Sequence, residues 1–309
     1  MTLTGRPAHA GLLPLPLVLV AVLALTFAFG GCGGSSGNDA RPHIVATTPV
    51  LGDLTRQLVG DRAVIQVLMP NGADPHEFQA SARDASDLLK ADLVVENGLG
   101  LESGIQDAVA SARDRGTATF TVTDHVRLRP LAHNGQSTEG GMDPHVWLDP
   151  TLMAAMVPDL AATVSAETGI DTAATAAATV RRLTRLDRDL QAIADGVPRA
   201  GRRIVTGHDS MGYFGARFGF DIIGAVIPSV SSEGAASAGD LADLRALMRR
   251  EGVHVIGVEP STPRDVARAL ADQVGAQVVE MPTNTIPDGG TYEDMMRQLM
   301  TRLVSALTA

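Results

Sequence analysis

Asp-Pro-His occurs twice in this chain of 309 residues, in "NGADPHEF" around His76 and in "GGMDPHVWLDP" around His145, among only eight histidines. Proline fixes its own φ and disfavours helix at the residue before it. Each ring therefore sits on a stiff, defined loop, which serves either to build a turn or to aim an imidazole. A third histidine, His208 in "IVTGHDSMGYF", directly follows an apolar run. Neutral imidazoles that converge from separate loops form a zinc-type site with tetrahedral preference. No HxxxH or CxxC spacing supports that reading locally, so its strength is positional.

The elements that must position these rings are legible as alternation. Short runs rich in β-branched residues predict strands at 43–50, 63–69, 93–97 and 118–122, and again at 202–207, 221–227, 253–259 and 276–282. Helical patterns fall between them at 51–60, 81–90 and 102–114, then at 210–218, 238–251, 263–274 and 291–307. Near-continuous apolar strands separated by helices predict an α/β fold of two similar lobes with mainly parallel sheets. The lobes are expected over 43–170 and 198–309. Between them, 171–197 is Ala-rich and carries Val180, Leu183, Leu186, Leu190 and Ile193 at helical spacing. That predicts one long linking helix, nearly 40 Å at about 1.5 Å per residue.

Ligands of open α/β sheets gather beyond the carboxyl ends of the strands. His76, His145, His208 and Asn284 (in "EMPTNTIPDGG") all follow strands, two in each lobe. Facing lobes would bring all four to one cleft. The other histidines of the folded part do not share the pattern. His43 starts a strand, His254 lies within one, and His125 and His133 belong to an Arg-bearing loop.

The chain begins with an uncharged apolar run, "GLLPLPLVLVAVLALTFAFGGCGGSSG", preceded by a single Arg6. Pro14 and Pro16 interrupt it and Gly30 and Gly31 close it, which reads as an export signal over 1–31. "AFGGC" resembles a lipobox, with Phe29 where an aliphatic residue is usual, and makes Cys32 the expected lipid-bearing residue. A plain secretory signal or an uncleaved anchor are the alternatives. A short Gly/Ser/polar tether follows, over 32–42. The chain has one cysteine, so no disulfide framework exists. A net charge of −10 argues against a nucleic-acid partner, which needs a basic face. Aromatic content of 3% argues against a sugar cleft built on stacking rings.

From Arg41 to its end the chain resembles the zinc/manganese receptors of bacterial ABC importers, the metal-binding class of solute-binding proteins. "IVATTPVLGDL", "ADPHEFQASARDASDLLKADLVVENGLGLE", "DPHVWLDP", "IVTGHDSMGYFGARFGF" and "GTYEDMM" carry the resemblance in order. It implies two lobes with the metal in the cleft between them, His76, His145 and His208 as ligands, and a permease in the cytoplasmic membrane as partner. It also implies an extracytoplasmic, lipid-anchored monomer that is not an enzyme, with the ion carried as cargo. Many relatives have aspartate at the fourth ligand position, where this chain has Asn284. Asp209, Glu259 and Asp288 are the carboxylates available to replace it.

Imidazole suits zinc whereas manganese prefers oxygen, so Zn2+ is expected, with Mn2+ as the alternative. Glu259, at the end of an apolar strand, either orients a ligating histidine or caps the following helix. Trp147 is expected to anchor packing, and Asp143 and Asp149 to brace their loop. A zinc-dependent hydrolase, a receptor for a non-metal cargo and an adhesin stand as competing functions. The sequence lacks HExxH, and its one GxSxG run, "GGSSG" at 33–37, falls in the tether and not between a strand and a helix, which weighs against the first.

Overall fold

The computed structural model describes residues 41–133 and 136–309; the expected signal peptide and Cys32 lie outside them. The first set of elements comprises β1 (His43–Ala46), α1 (Pro49–Val59), β2 (Val64–Val67), α2 (Ala82–Leu88), β3 (Leu93–Glu96), α3 (Gln106–Asp114) and β4 (Ala118–Thr121). Its four strands are all parallel, in the order β2-β1-β3-β4. A hairpin of β5 (Pro130–His133) and β6 (Gln136–Met142) follows, then α4 (Pro150–Thr168) and α5 (Ala173–Ala194).

The second set comprises β7 (Arg203–Thr206), α6 (Gly212–Phe218), β8 (Asp221–Ala225), α7 (Ala238–Glu251), β9 (Val255–Val258), α8 (Arg264–Val274), β10 (Gln277–Glu280) and α9 (Tyr292–Leu307). Its sheet is again parallel, in the order β10-β9-β7-β8. Counted from the first strand of each set, the two sheets have the same topology. In each, the first strand has neighbours on both sides, and ligands of such sheets collect at that reversal of strand order. Among the described residues, no helix is long and apolar enough to cross a membrane.

Local chemistry starts and stops these elements. Ser81 and Asp84, Ser237 and Asp240, and Thr291 and Asp294 form reciprocal caps at the starts of α2, α7 and α9, which satisfies orphan N–H groups there. Alternation along the strands then divides the core. Ile44, Ala46, Leu93 and Val95 face one apolar cluster, while Val45 and Val94 face another with α2 and α3, because successive strand side chains point to opposite faces. Val205, Ile256 and Val258 similarly pack with α7 and α8.

The large cluster spans both sheets. It runs through α1, α4, α5, α6 and α9 and includes Leu183, Leu186 and Leu190 of the linking helix, all fully buried. The two lobes therefore share a dry seam, and truncating Leu186 to alanine there should cost about 2–5 kcal/mol.

Two elements differ from the sequence expectation. The stretch 150–168, outside every predicted element, forms a helix of 19 residues that packs along α5. Its signals are an Asp149 N-cap, Pro150 in the first turn and a buried stripe at Met153, Met156, Val157, Leu160 and Val164, the spacing of a helix face. His133, expected in an Arg-bearing loop, instead ends the first strand of a β-hairpin, so the strand that His145 follows is β6.

Candidate metal centre

Both Asp-Pro-His tripeptides fold the same way. The His76 backbone N–H donates to Asp74 Oδ1 at 2.9 Å, and the His145 N–H donates to Asp143 Oδ1 at 3.0 Å. Each aspartate thus closes an Asx turn over the proline and fixes where its histidine begins. His208 comes directly off β7, and its carbonyl accepts from Thr206 Oγ1 at 2.7 Å and from the Ser210 N–H at 2.8 Å.

The three rings converge. His145 Nε2 lies 3.2 Å from His76 Nε2 and 3.3 Å from His208 Nε2, and all three donor nitrogens lie within 4.8 Å of one another. Two nitrogens bound at about 2.0–2.1 Å to one tetrahedral zinc stand about 3.3–3.4 Å apart. The rings are 5%, 2% and 5% exposed for His76, His145 and His208. Three buried nitrogens this close repel unless a proton or a cation lies among them. The space between them is only about 10 Å³, roughly what a single water requires. Larger hollows of about 700 and 400 Å³ exist, but none of the three histidines lines them.

Each ring has its own surroundings. His145 Nδ1 donates to Asp143 Oδ1 at 2.8 Å, with both groups buried. That bond fixes the tautomer and leaves Nε2 with a lone pair, the arrangement that metal-binding histidines use. Sequence reasoning gave Asp143 a loop-bracing role only; its carboxylate serves both the turn and the ring. Asp149 does brace, as the N-cap of α4, accepting from the Thr151 N–H at 2.8 Å. Trp147 packs in the shared core and its Nε1–H donates to the Thr283 carbonyl at 2.6 Å.

His208 Nδ1 is buried without a partner at hydrogen-bond length, and the nearest carboxylate, Glu259 Oε1, stands 3.6 Å away. Glu259 is itself held by the hydroxyls of Ser210 and Thr262. It lies on the Nδ1 side of the ring, in the place of an orienting group rather than a ligand. Burial opposes a charge on His208, but Glu259, with Asp74 and Asp209 beyond it, outweighs burial and holds the ring above its ordinary value. Burial pushes Glu259 up, and His208 and Ser210 bring it net below the usual carboxylate range. His76 is the opposite case. Burial, helped by the other two rings, pushes it down to about 3, so it is neutral at any ordinary pH.

Asn284 lines the same cavity, with its Nδ2 donating to the Ala73 carbonyl at 2.8 Å. Of Asp209, Glu259 and Asp288, only Glu259 lines the cavity; Asp209 lines a hollow of about 700 Å³ and Asp288 is exposed on the 283–290 loop. His43 and His125 lie elsewhere, bonded to Gln66 and Asp159.

The family model of the zinc-uptake complex component A, periplasmic, matches residues 44–306. The chain belongs to this family. Among relatives of this zinc-uptake component, the zinc-binding protein TroA of Treponema pallidum is 29% identical over 303 residues, covering 95% of this chain and 96% of TroA. The manganese-binding lipoprotein MntA of Bacillus subtilis is 26% identical over 306 residues, covering 94% of this chain and 98% of its own. The solved structure of the Treponema pallidum periplasmic zinc-binding protein superimposes with a TM-score of 0.76 at 28% identity, covering 86% of this chain and 99% of that one. Relatives named for zinc and for manganese thus share one fold with this family member, and the choice of metal falls to the side chains at the site.

Proposed function

We propose that this protein is an extracytoplasmic receptor that captures a divalent transition metal, zinc in preference to manganese, and hands it to an ABC permease for import. His76, His145 and His208 are the ligands, and Asp143 and Glu259 orient two of them. The observation that carries this reading is the pair of Nε2–Nε2 separations, 3.2 and 3.3 Å, at a buried point with room for an ion and not for an organic molecule. Pockets for small molecules run to about 300 Å³ and above, which is why neither hydrolysis nor an organic cargo fits. A three-imidazole set without a carboxylate favours zinc.

Residues 1–31 direct export, Cys32 carries the lipid and 32–42 form the tether. The remainder acts as an N-terminal lobe over 43–170, a linking helix over 171–197 and a C-terminal lobe over 198–309. Names of relatives such as the manganese-binding lipoprotein of Bacillus subtilis support an anchored, metal-carrying role.

Competition titration of the metal-stripped protein against a chromophoric chelator tests this. One-to-one binding of zinc, with manganese much weaker, is the expected result. Preference for manganese overturns the metal assignment, and tight binding of neither overturns the receptor reading.

A further inference from the structure

The cavity that holds the three histidines is closed on one side by two short loops, one from each lobe. Pro70 to Ala73 form a turn, with the Ala73 N–H donating to the Pro70 carbonyl at 3.0 Å and Gly72 at φ +81°, a sign that only glycine adopts readily. Gly72 also allows close approach. A Cβ there would meet Thr285 Oγ1 at 3.3 Å.

Across this contact Asn71 pairs with the Ile286 backbone twice. Its Nδ2 donates to the Ile286 carbonyl at 2.6 Å, and the Ile286 N–H donates to its Oδ1 at 2.8 Å. Asn284 returns the bond to the Ala73 carbonyl at 2.8 Å. One asparagine from each loop thus seals the other loop's backbone. The 283–286 strap is held at its far end by Trp147 Nε1 on the Thr283 carbonyl, two residues from His145.

The strap therefore spans the segments that carry His76 and His145. With all three rings 5% exposed or less, movement of a covering segment would widen the way in and out for an ion. The seam on the helical side is a continuous apolar core. This side is a handful of hydrogen bonds, among them those of the exposed Asn71, and is the easier one to open.

We propose that Asn71 and Asn284 form a reciprocal latch that holds the His76 loop against the 283–286 strap and sets how fast the metal enters and leaves. The proposal rests on the metal-receptor reading. It gives Asn284 a positioning role in place of ligation: its Nδ2 is committed to Ala73 and its Oδ1 faces the Thr285 hydroxyl at 3.5 Å, and the same role falls to Asn71, which lies on the rim and is not among the residues lining the metal cavity.

The test is stopped-flow release of zinc into excess chelator from the wild type, Asn71→Ala and Asn284→Ala, with amide hydrogen exchange on the metal-free proteins. Both variants should release zinc about tenfold faster, equivalent to about 1.4 kcal/mol. Exchange at the Ile286 amide should quicken in Asn71→Ala. Unchanged release in both variants overturns the latch. An effect of Asn284→Ala alone, with Asn71→Ala like the wild type, overturns it in favour of ligation by Asn284. If the wild type binds no zinc, the receptor reading fails, and exchange at Ile286 alone decides whether the latch exists.

Discussion

The two Asp-Pro-His loops begin as copies and end as different devices. In both, aspartate accepts the histidine N–H two residues on. At 143–145 the same carboxylate also takes the ring, and the Asp143 carbonyl is pinned by Tyr213 Oη at 3.1 Å. Next door, Tyr292 Oη donates to the Trp147 carbonyl at 2.7 Å. His145 is thus aimed by buried groups whose positions the shared core fixes.

At 74–76 the support comes from across the cleft. Burial raises the Asp74 carboxyl, but the Ser232 and Ser261 hydroxyls and the His76 N–H draw it net downward. Asn284 completes the hold from the strap. Identical tripeptides encode identical turns, whereas the rigidity of each ring is set by what the other lobe presents to it. His145 is held by the shared core, and the proposed latch makes His76 the ring free to move.

The largest effects come from removing the rings. His145→Ala and His76→Ala should each weaken zinc binding more than about 100-fold, beyond what loss of an orienting group costs, as read by chelator competition. Asp143→Ala should cost about 10–100-fold, since it frees the ring and its tautomer. Asp74→Ala, which loses the turn bond and the carboxylate that the Ser232 and Ser261 hydroxyls face but no hydrogen bond to a ring, should cost less. Equal losses for the two aspartates would erase the distinction between the loops.

Acidification sharpens it further. His208 is held above its ordinary value by Glu259, so a proton competes with the metal already as pH falls toward about 6.5. His76, pushed to about 3, takes no proton in that range and does not compete. Zinc affinity measured from pH 8 to pH 5.5 should therefore fall with pH, and Glu259→Gln should move the fall to lower pH. A flat profile would contradict histidine ligation. The smallest effect belongs to His43→Ala, which breaks one bond to Gln66 far from the cavity. It should leave zinc affinity unchanged and reduce stability by about 1 kcal/mol at most.

Much of this was legible in the sequence, for identifiable reasons. The eight sheet strands are short β-branched runs between helices, and local composition marks those strongly. The loops of His76, His145 and His208 were legible because proline and strand ends restrict the chain locally. Helix α4 has a buried stripe from Met153 to Val164 at helical spacing behind an Asp149 N-cap, but the same Asp-Pro pair also reads as a loop feature, which makes its start ambiguous in the sequence. The ring bond of Asp143 and the asparagine pairs were not legible. The asparagine pairs join groups placed together only by tertiary structure, 215 residues apart for Asn71 and Ile286, whereas the Asp143 bond spans only two residues and depends on how the buried ring turns.

The most direct test of the three-histidine site is the zinc K-edge X-ray absorption spectrum of the loaded wild type beside His145→Ala. The account predicts three imidazole nitrogens at about 2.0–2.1 Å in the wild type, with one fewer or no bound zinc in the variant. A first shell dominated by oxygen, or one that His145→Ala leaves unchanged, would contradict it.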